Sequence, residues 1–199
     1  MVTASDKILS LTQGRVFRAK ELAPLGIARY RLRELVEAGR LNQIGRGLYM
    51  AADAEITEHQ SLVEVASRCP KGVFCLLTAL RFHVLTTENP ESVYLLLPKG
   101  WQRPLISNTM LDVFWASGES YSEGTEEHVI SGVTVKVTSP AKTVADCFKF
   151  RSSIGVPVAV EALREVWRKK KATADELWRF AKICRMTQVM RPYFEAILA

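Results

Sequence analysis

Residues 27–50, which read IARYRLRELVEAGRLNQIGRGLYM, constrain the fold of this chain more than any other stretch. Their first half predicts an amphipathic helix, because its apolar residues recur at helical spacing. The pair Ala38-Gly39 ends that helix, since glycine tolerates the left-handed conformation that commonly follows a helix. The second half predicts a short hairpin that turns at Gly45-Arg46-Gly47. A short helix that leads directly into a tight hairpin is therefore expected here.

The polar face of this helix is basic. Arg29 and Arg33 lie one helical turn apart, and Tyr30 and Arg31 lie beside them. Recognition helices place residues near their N-terminus on base edges in the major groove. Residues 27–50 therefore predict a winged helix-turn-helix in which these four side chains read bases. Arg46, at the tip of the hairpin, is expected to contact the DNA as well.

The alternative interpretation is a surface helix whose arginines are merely solvated, followed by an ordinary hairpin. Residues 7–49 hold nine Lys or Arg against three Glu, which favours DNA binding. The preceding residues also predict the remaining elements of a winged helix: a helix over 4–13, a short strand at 16–17 and a short helix over 18–23. Arg18 and Lys20 are the expected phosphate contacts.

A small polar connector, residues 51–55, follows the hairpin. We place a domain boundary there, so that residues 1–55 form a DNA-binding domain and residues 56–199 a second domain. The second domain is predicted to be α+β, with a small sheet and several helices, because apolar runs rich in β-formers occur between helical patterns. Its strands are expected at 93–97, at 110–115 and on both sides of Ser131-Gly132, with helices at 57–69 and 73–82 and an exposed loop at 117–127.

The last third of the chain predicts four helices. Ser139 and Pro140 have the residue types preferred at a helix N-cap and first turn, and Thr173 with Glu176 forms a capping box. Further helices are expected from about Pro157 and Thr187. The helix that begins near Pro157 ends in a basic run. This second basic patch comprises Arg164, Arg168, Lys169, Lys170 and Lys171.

Two interpretations of the second basic patch stay open. Cations are favourable at the negative end of a helix dipole, so the run is compatible with a solvated helix end. It is also compatible with a second phosphate-contacting patch. The net charge of +6 is unevenly spread. Residues 1–56 carry a net +3, residues 57–150 a net −2 and residues 151–199 a net +5, a layout that suits two positive surfaces facing a polyanion.

The four cysteines form no CxxC pair and lie within apolar helical patterns, so we expect reduced core residues rather than disulfides or a zinc site. The three histidines show no metal-ligand spacing with them. No metal, cofactor or catalytic residue is therefore expected. The sequence contains no recognisable signal peptide and no apolar run of membrane-spanning length. A cytoplasmic protein without a membrane partner is the resulting expectation.

An enzyme in the second domain is the alternative from another functional class. Asp112, Glu119, Glu126 and Lys136 invite comparison with a metal-dependent nuclease, which needs converging carboxylates and a nearby lysine. No acidic residue stands two positions before Lys136, which weakens this interpretation. Asp146 and Arg151 are expected to form an ion pair at a helix end rather than a reactive site.

Two motifs make the chain resemble a known family. The passage LVEAGRLNQIGRGLYM is shared among winged-helix groups, whereas the run SPAKTVADCFKFRSSIGVPVAVEALRE, residues 139–165, is long and particular. Both are similar to the AbiEi-type antitoxins of bacterial type IV toxin–antitoxin systems, which act in phage defence. The resemblance runs nearly from end to end.

The resemblance implies a winged-helix autoregulator that binds inverted repeats in its own promoter and represses the operon. It also implies a C-terminal domain that counters an AbiEii-type, nucleotidyltransferase-like toxin without a stable complex between the two proteins. With such a toxin, the second basic patch is also compatible with a surface that faces the toxin's nucleic-acid substrate. A stand-alone repressor with no toxin is the alternative within DNA-binding proteins.

Overall fold

The structure is a computed structural model, and it describes residues 4–11, 15–54, 59–106 and 109–198. The chain forms two compact units. Unit 1 comprises residues 1–70 and 128–135, and unit 2 comprises residues 71–127 and 136–199. The chain contains both helices and β-sheets, which agrees with the predicted α+β class. Among the residues described, no helix has both the length and the apolar character that crossing a bilayer demands.

Unit 1 begins with helix α1 and a short strand, continues through a 3-10 helix to helix α2, and then forms a two-stranded hairpin. The bounds are α1 Ala4–Leu11, β1 Phe17–Arg18, the 3-10 helix Ala19–Leu25, α2 Tyr30–Glu37, β2 Leu41–Gly45, β3 Leu48–Ala51 and α3 Gln60–Arg68. The predicted second helix is thus present as a 3-10 helix. The predicted start of α3, at residue 57, lies outside the described residues.

Helix α2 forms because one face is apolar and its end is defined by a glycine. Leu32 and Leu35 are buried, whereas the opposite face carries charged side chains. Gly39 has a φ of +66°, and the next backbone N–H, that of Arg40, donates to the carbonyl of Leu35 at 2.9 Å. This left-handed end confirms the predicted stop and turns the chain into β2.

The three strands of unit 1 form a sheet in the order β1-β3-β2, with both pairs antiparallel. Phe17 lies opposite Tyr49 on β3, and Leu41 of β2 lies opposite Ala51. The register between β2 and β3 shifts between Gln43 and Gly45, close to the hairpin tip. The predicted turn is therefore present. One apolar cluster packs the sheet against α1 and α2. That cluster contains Ile8, Phe17, Leu22, Ile27, Leu32, Leu35 and Leu41.

The tip of a second hairpin also belongs to unit 1. The backbone N–H of Val16 donates to the carbonyl of Ser131 at 2.7 Å. Ile130 and Val133 pack against a cluster that includes Val63 of α3. The predicted boundary at residue 55 concerns independent folding and stays a prediction, but this packing adds α3 and residues 128–135 to the unit.

A five-stranded mixed sheet comprises β4 Val73–Phe74, β5 Val93–Pro98, β6 Leu111–Ala116, β7 Thr125–Ile130 and β8 Val133–Thr138, in the order β6-β5-β4-β8-β7. It belongs to unit 2 except for residues 128–135. Strand β5 is parallel to β6, with Leu95 opposite Val113, and β4 is antiparallel to β5 and parallel to β8. The hairpin predicted at Ser131-Gly132 joins β7 to β8, and both of its turn residues have positive φ.

The helices of unit 2 pack around α6, whose buried face is central to the apolar core. They are α4 Leu76–Phe82, α5 Glu119–Ser122, α6 Pro140–Lys149, α7 Arg151–Ile154, α8 Val156–Arg168, α9 Ala174–Ile183 and α10 Thr187–Leu198. The N-cap at Ser139 and the capping box of Thr173 with Glu176 are confirmed.

Two predicted elements are wrong in detail. Residues 73–82 do not form one helix, because Val73 and Phe74 pair with β5 and β8 before α4 begins. Their apolar run fits a buried strand as well as a buried helix. Residues 117–127 are not simply a loop, since they contain α5 and the start of β7. Glycines at 118 and 124 separate these short elements.

Candidate nucleic-acid interface

The start of α2 presents two of the predicted base readers in exposed positions. Arg29 precedes the helix and is exposed, and Tyr30 is 58% exposed. The guanidinium carbon of Arg31 lies 5.0 Å from the centroid of the Tyr30 ring, a cation–π contact that orders both side chains. No carboxylate in the described part of the chain pairs with Arg29, so its charge is available to a ligand.

The other two predicted readers are paired along the helix. Arg31 donates to Glu34 at 2.8 Å and Arg33 donates to Glu37 at 2.8 Å. The hydrogen bond that Arg31 donates to Glu34 raises the pKa of Arg31, and the one that Arg33 donates to Glu37 raises the pKa of Arg33. Both pairs lie in solvent, where ion pairs are weak and easily exchanged. A phosphate or a base edge can therefore replace either glutamate.

The hairpin tip carries Arg46 into solvent. Its neighbour Gly47 has a φ of +73°, and the carbonyl of Gly47 accepts from the backbone N–H of Ala19 at 2.9 Å. The tip is thus anchored to the start of the 3-10 helix while the Arg46 side chain stays exposed. Of the carboxylates that the structure describes, none pairs with Arg46.

The expected phosphate contacts flank this surface. Arg18 is half-buried at the end of β1, and its backbone N–H donates to Glu21 at 2.7 Å. Glu21 also accepts from Arg15 at 3.0 Å, so one carboxylate orders the entry to the 3-10 helix. Lys20 is exposed. All seven predicted DNA-contacting residues thus lie in unit 1, and their contacts with DNA stay a prediction.

One further exposed cation of unit 1 was not predicted from the sequence. Arg40 is exposed in the turn between α2 and β2 and has no carboxylate partner among the residues described. Gly39 fixes this turn. A glycine that ends a helix and is followed by an arginine could have identified Arg40 as an exposed cation.

The second basic patch is partly neutralised by one acidic side chain. Glu165 accepts two hydrogen bonds from Arg168 and lies 3.2 Å from the ammonium of Lys169, and these contacts lower its pKa to about 2. Lys169 also donates to the carbonyl of Val84. Arg164, Lys170 and Lys171 remain exposed. Three of the five predicted members are therefore open to a ligand, and nucleic-acid binding by this patch stays a prediction.

A buried ion pair replaces the predicted pair of Asp146 with Arg151. Lys142 donates to Asp146 at 2.6 Å, one helical turn apart on α6, and both side chains are buried. Arg151 instead donates to the carbonyl of Phe148 at 2.8 Å. The prediction was wrong because the KTVAD segment places Lys142 four residues before Asp146, inside the same helix. That spacing was the signal in the sequence.

The four cysteines are free and buried, as predicted. Burial raises the pKa of the thiols of Cys75 and Cys147, and it raises that of Cys184 to about 11. Thiols of this kind are poor nucleophiles at neutral pH. No group of His, Cys, Asp and Glu within the described ranges is arranged to hold a metal ion.

Two of the residues considered for a nuclease, Asp112 and Lys136, are not brought together. Asp112 lies on β6, at one edge of the sheet, whereas Lys136 lies on β8, three strands away. Strands in a sheet are about 4.8 Å apart, so these two positions are separated by about 14 Å. Lys136 pairs instead with Glu127 at 3.4 Å.

Comparison with known proteins adds a family to this geometry. Residues 6–52 match the family described as "Transcriptional regulator, AbiEi antitoxin". This region is an AbiEi-type regulator domain. The AbiEi-type domain includes α2, the hairpin and every predicted DNA-contacting residue from Arg18 to Arg46.

One solved structure is similar over most of the chain. It is the RV2827C protein from Mycobacterium tuberculosis, with a TM-score of 0.62 and 14% sequence identity over 88% of this chain and 69% of that one. At this identity the likeness shows the fold alone. A search of curated proteins finds no match.

Proposed function

We propose that the chain binds inverted repeats in its own promoter, represses the operon and counters a toxin in a type IV toxin–antitoxin system. The observation that carries the DNA-binding part is the pair Arg29 and Arg46. Both are exposed and unpaired among the described residues, at the start of α2 and at the hairpin tip of the AbiEi-type domain. The element order of residues 4–51 supports a winged helix, with α2 in the major groove and the hairpin beside it.

The paired arginines of α2 give this proposal a mechanism for discrimination. Glu34 and Glu37 pair with Arg31 and Arg33 before DNA arrives. On a cognate site, base edges replace the carboxylates as partners of the two guanidinium groups. On a non-cognate site the glutamates face phosphates or unmatched bases, which costs free energy and improves specificity. Arg18, Lys20 and Arg40 supply phosphate contacts that depend little on sequence.

A single α2 reads few base pairs, so the proposed operator contains two half-sites. Two copies of the chain on an inverted repeat double the base contacts and match protein symmetry to DNA symmetry. We therefore expect the affinity for the operator to fall steeply as the salt concentration rises, because each phosphate contact releases counterions.

The antitoxin part of the proposal concerns unit 2 and rests on the resemblance of residues 139–165. This run forms α6, α7 and most of α8, around the buried Lys142–Asp146 pair. We infer that unit 2 counters an AbiEii-type toxin without a stable complex. Lys170 and Lys171 are the members of the second basic patch to change in testing its role, since Glu165 already binds Arg168 and Lys169.

The test uses two variants of the full chain in cells that carry a promoter reporter and the adjacent toxin gene. Arg29→Ala with Arg46→Ala is expected to release the reporter and still rescue growth. Lys170→Glu with Lys171→Glu is expected to impair rescue and keep repression. Loss of both functions in either variant would contradict the division of labour.

The stand-alone repressor remains the second candidate, and it predicts repression with no toxic gene beside this one. A DNA-tethered nuclease predicts cleavage of duplex DNA that depends on a divalent metal. We expect no cleavage by the purified chain with Mg²⁺ or Mn²⁺. The dispersed positions of Asp112 and Lys136 favour this outcome.

A further inference from the structure

A cavity of about 860 Å³ opens in unit 2 where two parallel strands end. Lys99 follows β5 directly, and the chain leaves β6 after Ala116, so both carboxyl ends meet this cavity. Open α/β sheets commonly bind ligands outside the carboxyl ends of parallel strands. The volume is in the range of small-molecule binding sites, about 300–1,000 Å³.

Four cations from three parts of the chain converge on the cavity: Lys99 after β5, Lys149 at the end of α6, and Lys182 and Arg185 at the end of α9. Lys99, Lys182 and Arg185 are exposed, and no carboxylate among the described residues pairs with them. Lys149 is half-buried and donates to the hydroxyl of Ser120 at 2.5 Å. Glu119 is the sole acidic side chain in the described lining. The cavity therefore has an excess of positive charge, which suits an anion with several negative groups.

An ordered aromatic ring stands beside these cations. Trp115 lines the cavity and is 44% exposed. Its indole N–H donates to the carbonyl of Trp101 at 2.8 Å, which fixes the plane of the ring. Exposed indole faces held in this way stack on planar heterocycles.

The backbone at Arg185 supplies an independent observation. Arg185 follows the C-cap of α9 and has a φ of +59°, a position where glycine is the usual residue. An arginine in this conformation is strained, and backbone strain clusters at functional sites. Lys170 has the same conformation after α8, with a φ of +52°, but lines a different cavity.

We propose that this cavity binds a nucleoside phosphate, with the base on Trp115 and the phosphates among Lys99, Lys149, Lys182 and Arg185. The proposal is independent of DNA binding by unit 1. It assigns a small-molecule site to unit 2, separate from the second basic patch.

The test is isothermal titration calorimetry, in which the full chain is titrated separately with ATP, GTP and inorganic pyrophosphate. We expect saturable binding of ATP or GTP at one site per chain, weakened by salt. Arg185→Gly is expected to weaken it at least about tenfold, the loss that one charge-assisted contact represents. Because glycine relieves the positive φ, this variant should unfold at no lower temperature than the wild type.

Lys170→Gly is the matched control, since it relieves the same backbone conformation and removes one cation outside the cavity. It is expected to leave nucleotide affinity unchanged. Trp115→Leu should weaken ATP binding more than pyrophosphate binding, because only the nucleotide has a base to stack.

Three results would overturn the proposal. The first is no saturable binding of either nucleotide, and the second is full affinity in Arg185→Gly. The third is a single-stranded oligonucleotide that binds through these residues and is not displaced by ATP, which would make the cavity part of a nucleic-acid surface.

Discussion

Helices α2 and α6 each carry a cation and a carboxylate four residues apart, in opposite surroundings. In α2 the side chains of Arg33 and Glu37 are 84% and 62% exposed and meet at 2.8 Å. In α6 the side chains of Lys142 and Asp146 are 0% and 1% exposed and meet at 2.6 Å. The same spacing thus produces one pair in water and one pair inside the apolar core of unit 2.

The difference shows how surroundings decide what an ion pair does. Water screens the α2 pair, so its charges add little to stability and remain available to a polyanion. Burial raises the pKa of Asp146, and the positive charge of Lys142 opposes that rise. Neither buried charge can lose its partner without a large cost, so the α6 pair determines packing rather than ligand binding.

The strongest test of this comparison removes one partner of the buried pair. Lys142→Met or Asp146→Leu alone is expected to lower the free energy of unfolding by about 3–5 kcal/mol, because an uncompensated charge stays in the core. The double variant is expected to recover most of that loss. Urea unfolding followed by circular dichroism measures both. A double variant as unstable as the worse single variant would show that the pair itself is required.

A smaller loss of unfolding free energy is expected from a substitution at Gly124, which lies close to Lys142. A Cβ added at Gly124 would lie 2.6 Å from the ring of Phe180 and 2.8 Å from Cβ of Lys142. Gly124→Ala is therefore expected to cost about 1–3 kcal/mol through overpacking and its positive φ.

Gly100→Ala is the control for Gly124→Ala. Its φ of +90° imposes a similar backbone penalty, but nothing lies within 4 Å of the added Cβ. Equal losses of unfolding free energy in the two variants would mean that packing around Lys142 is not tight.

The thiol next to the buried pair provides a pH-dependent test. Cys184 donates to Asp146 at 3.5 Å, and burial with the carboxylate's charge raises its pKa to about 11. At pH 8 the native thiol should therefore react with iodoacetamide more slowly than in the unfolded chain. Its rate should rise as pH approaches 11.

Asp146→Asn removes the negative charge that helps to raise this pKa, so Cys184 in that variant should react faster at pH 8. Mass spectrometry of alkylated peptides locates the modified residue. An unchanged rate in Asp146→Asn would contradict the electrostatic contribution of Asp146.

The exposed pair should show the smallest effect on stability. Glu37→Gln is expected to leave the unfolding temperature unchanged, because both side chains of the pair are solvated. The same change should increase affinity for random DNA, since it removes a negative charge from the proposed DNA-binding face. Glu195→Gln, on α10 of unit 2, is a control that should alter neither property. A clear loss of stability in Glu37→Gln would contradict the comparison.

Local signals predicted much of the fold. The helix stop at Gly39, the hairpin at Ser131-Gly132 and the cap at Ser139 are confirmed because each depends on residues adjacent in the chain. The short strand at Val73 and Phe74 was missed because its partners, β5 and β8, are distant in sequence. The cationic cavity was missed for the same reason: Lys99, Lys149 and Arg185 come from separate elements. The contiguous basic run was easy to see, but Glu165 neutralises part of it.

We propose that the α2 face and the hairpin tip of unit 1 bind operator DNA in a sequence-specific manner. Fluorescence anisotropy with the upstream inverted repeat and a scrambled duplex, across a range of salt concentrations, tests it most directly. We expect the wild-type chain to prefer the inverted repeat, and Arg29→Ala to lose about 1–3 kcal/mol of that preference. Lys20→Ala should weaken both duplexes alike and make the salt dependence shallower. Equal affinity of the wild-type chain for the two duplexes would contradict the account.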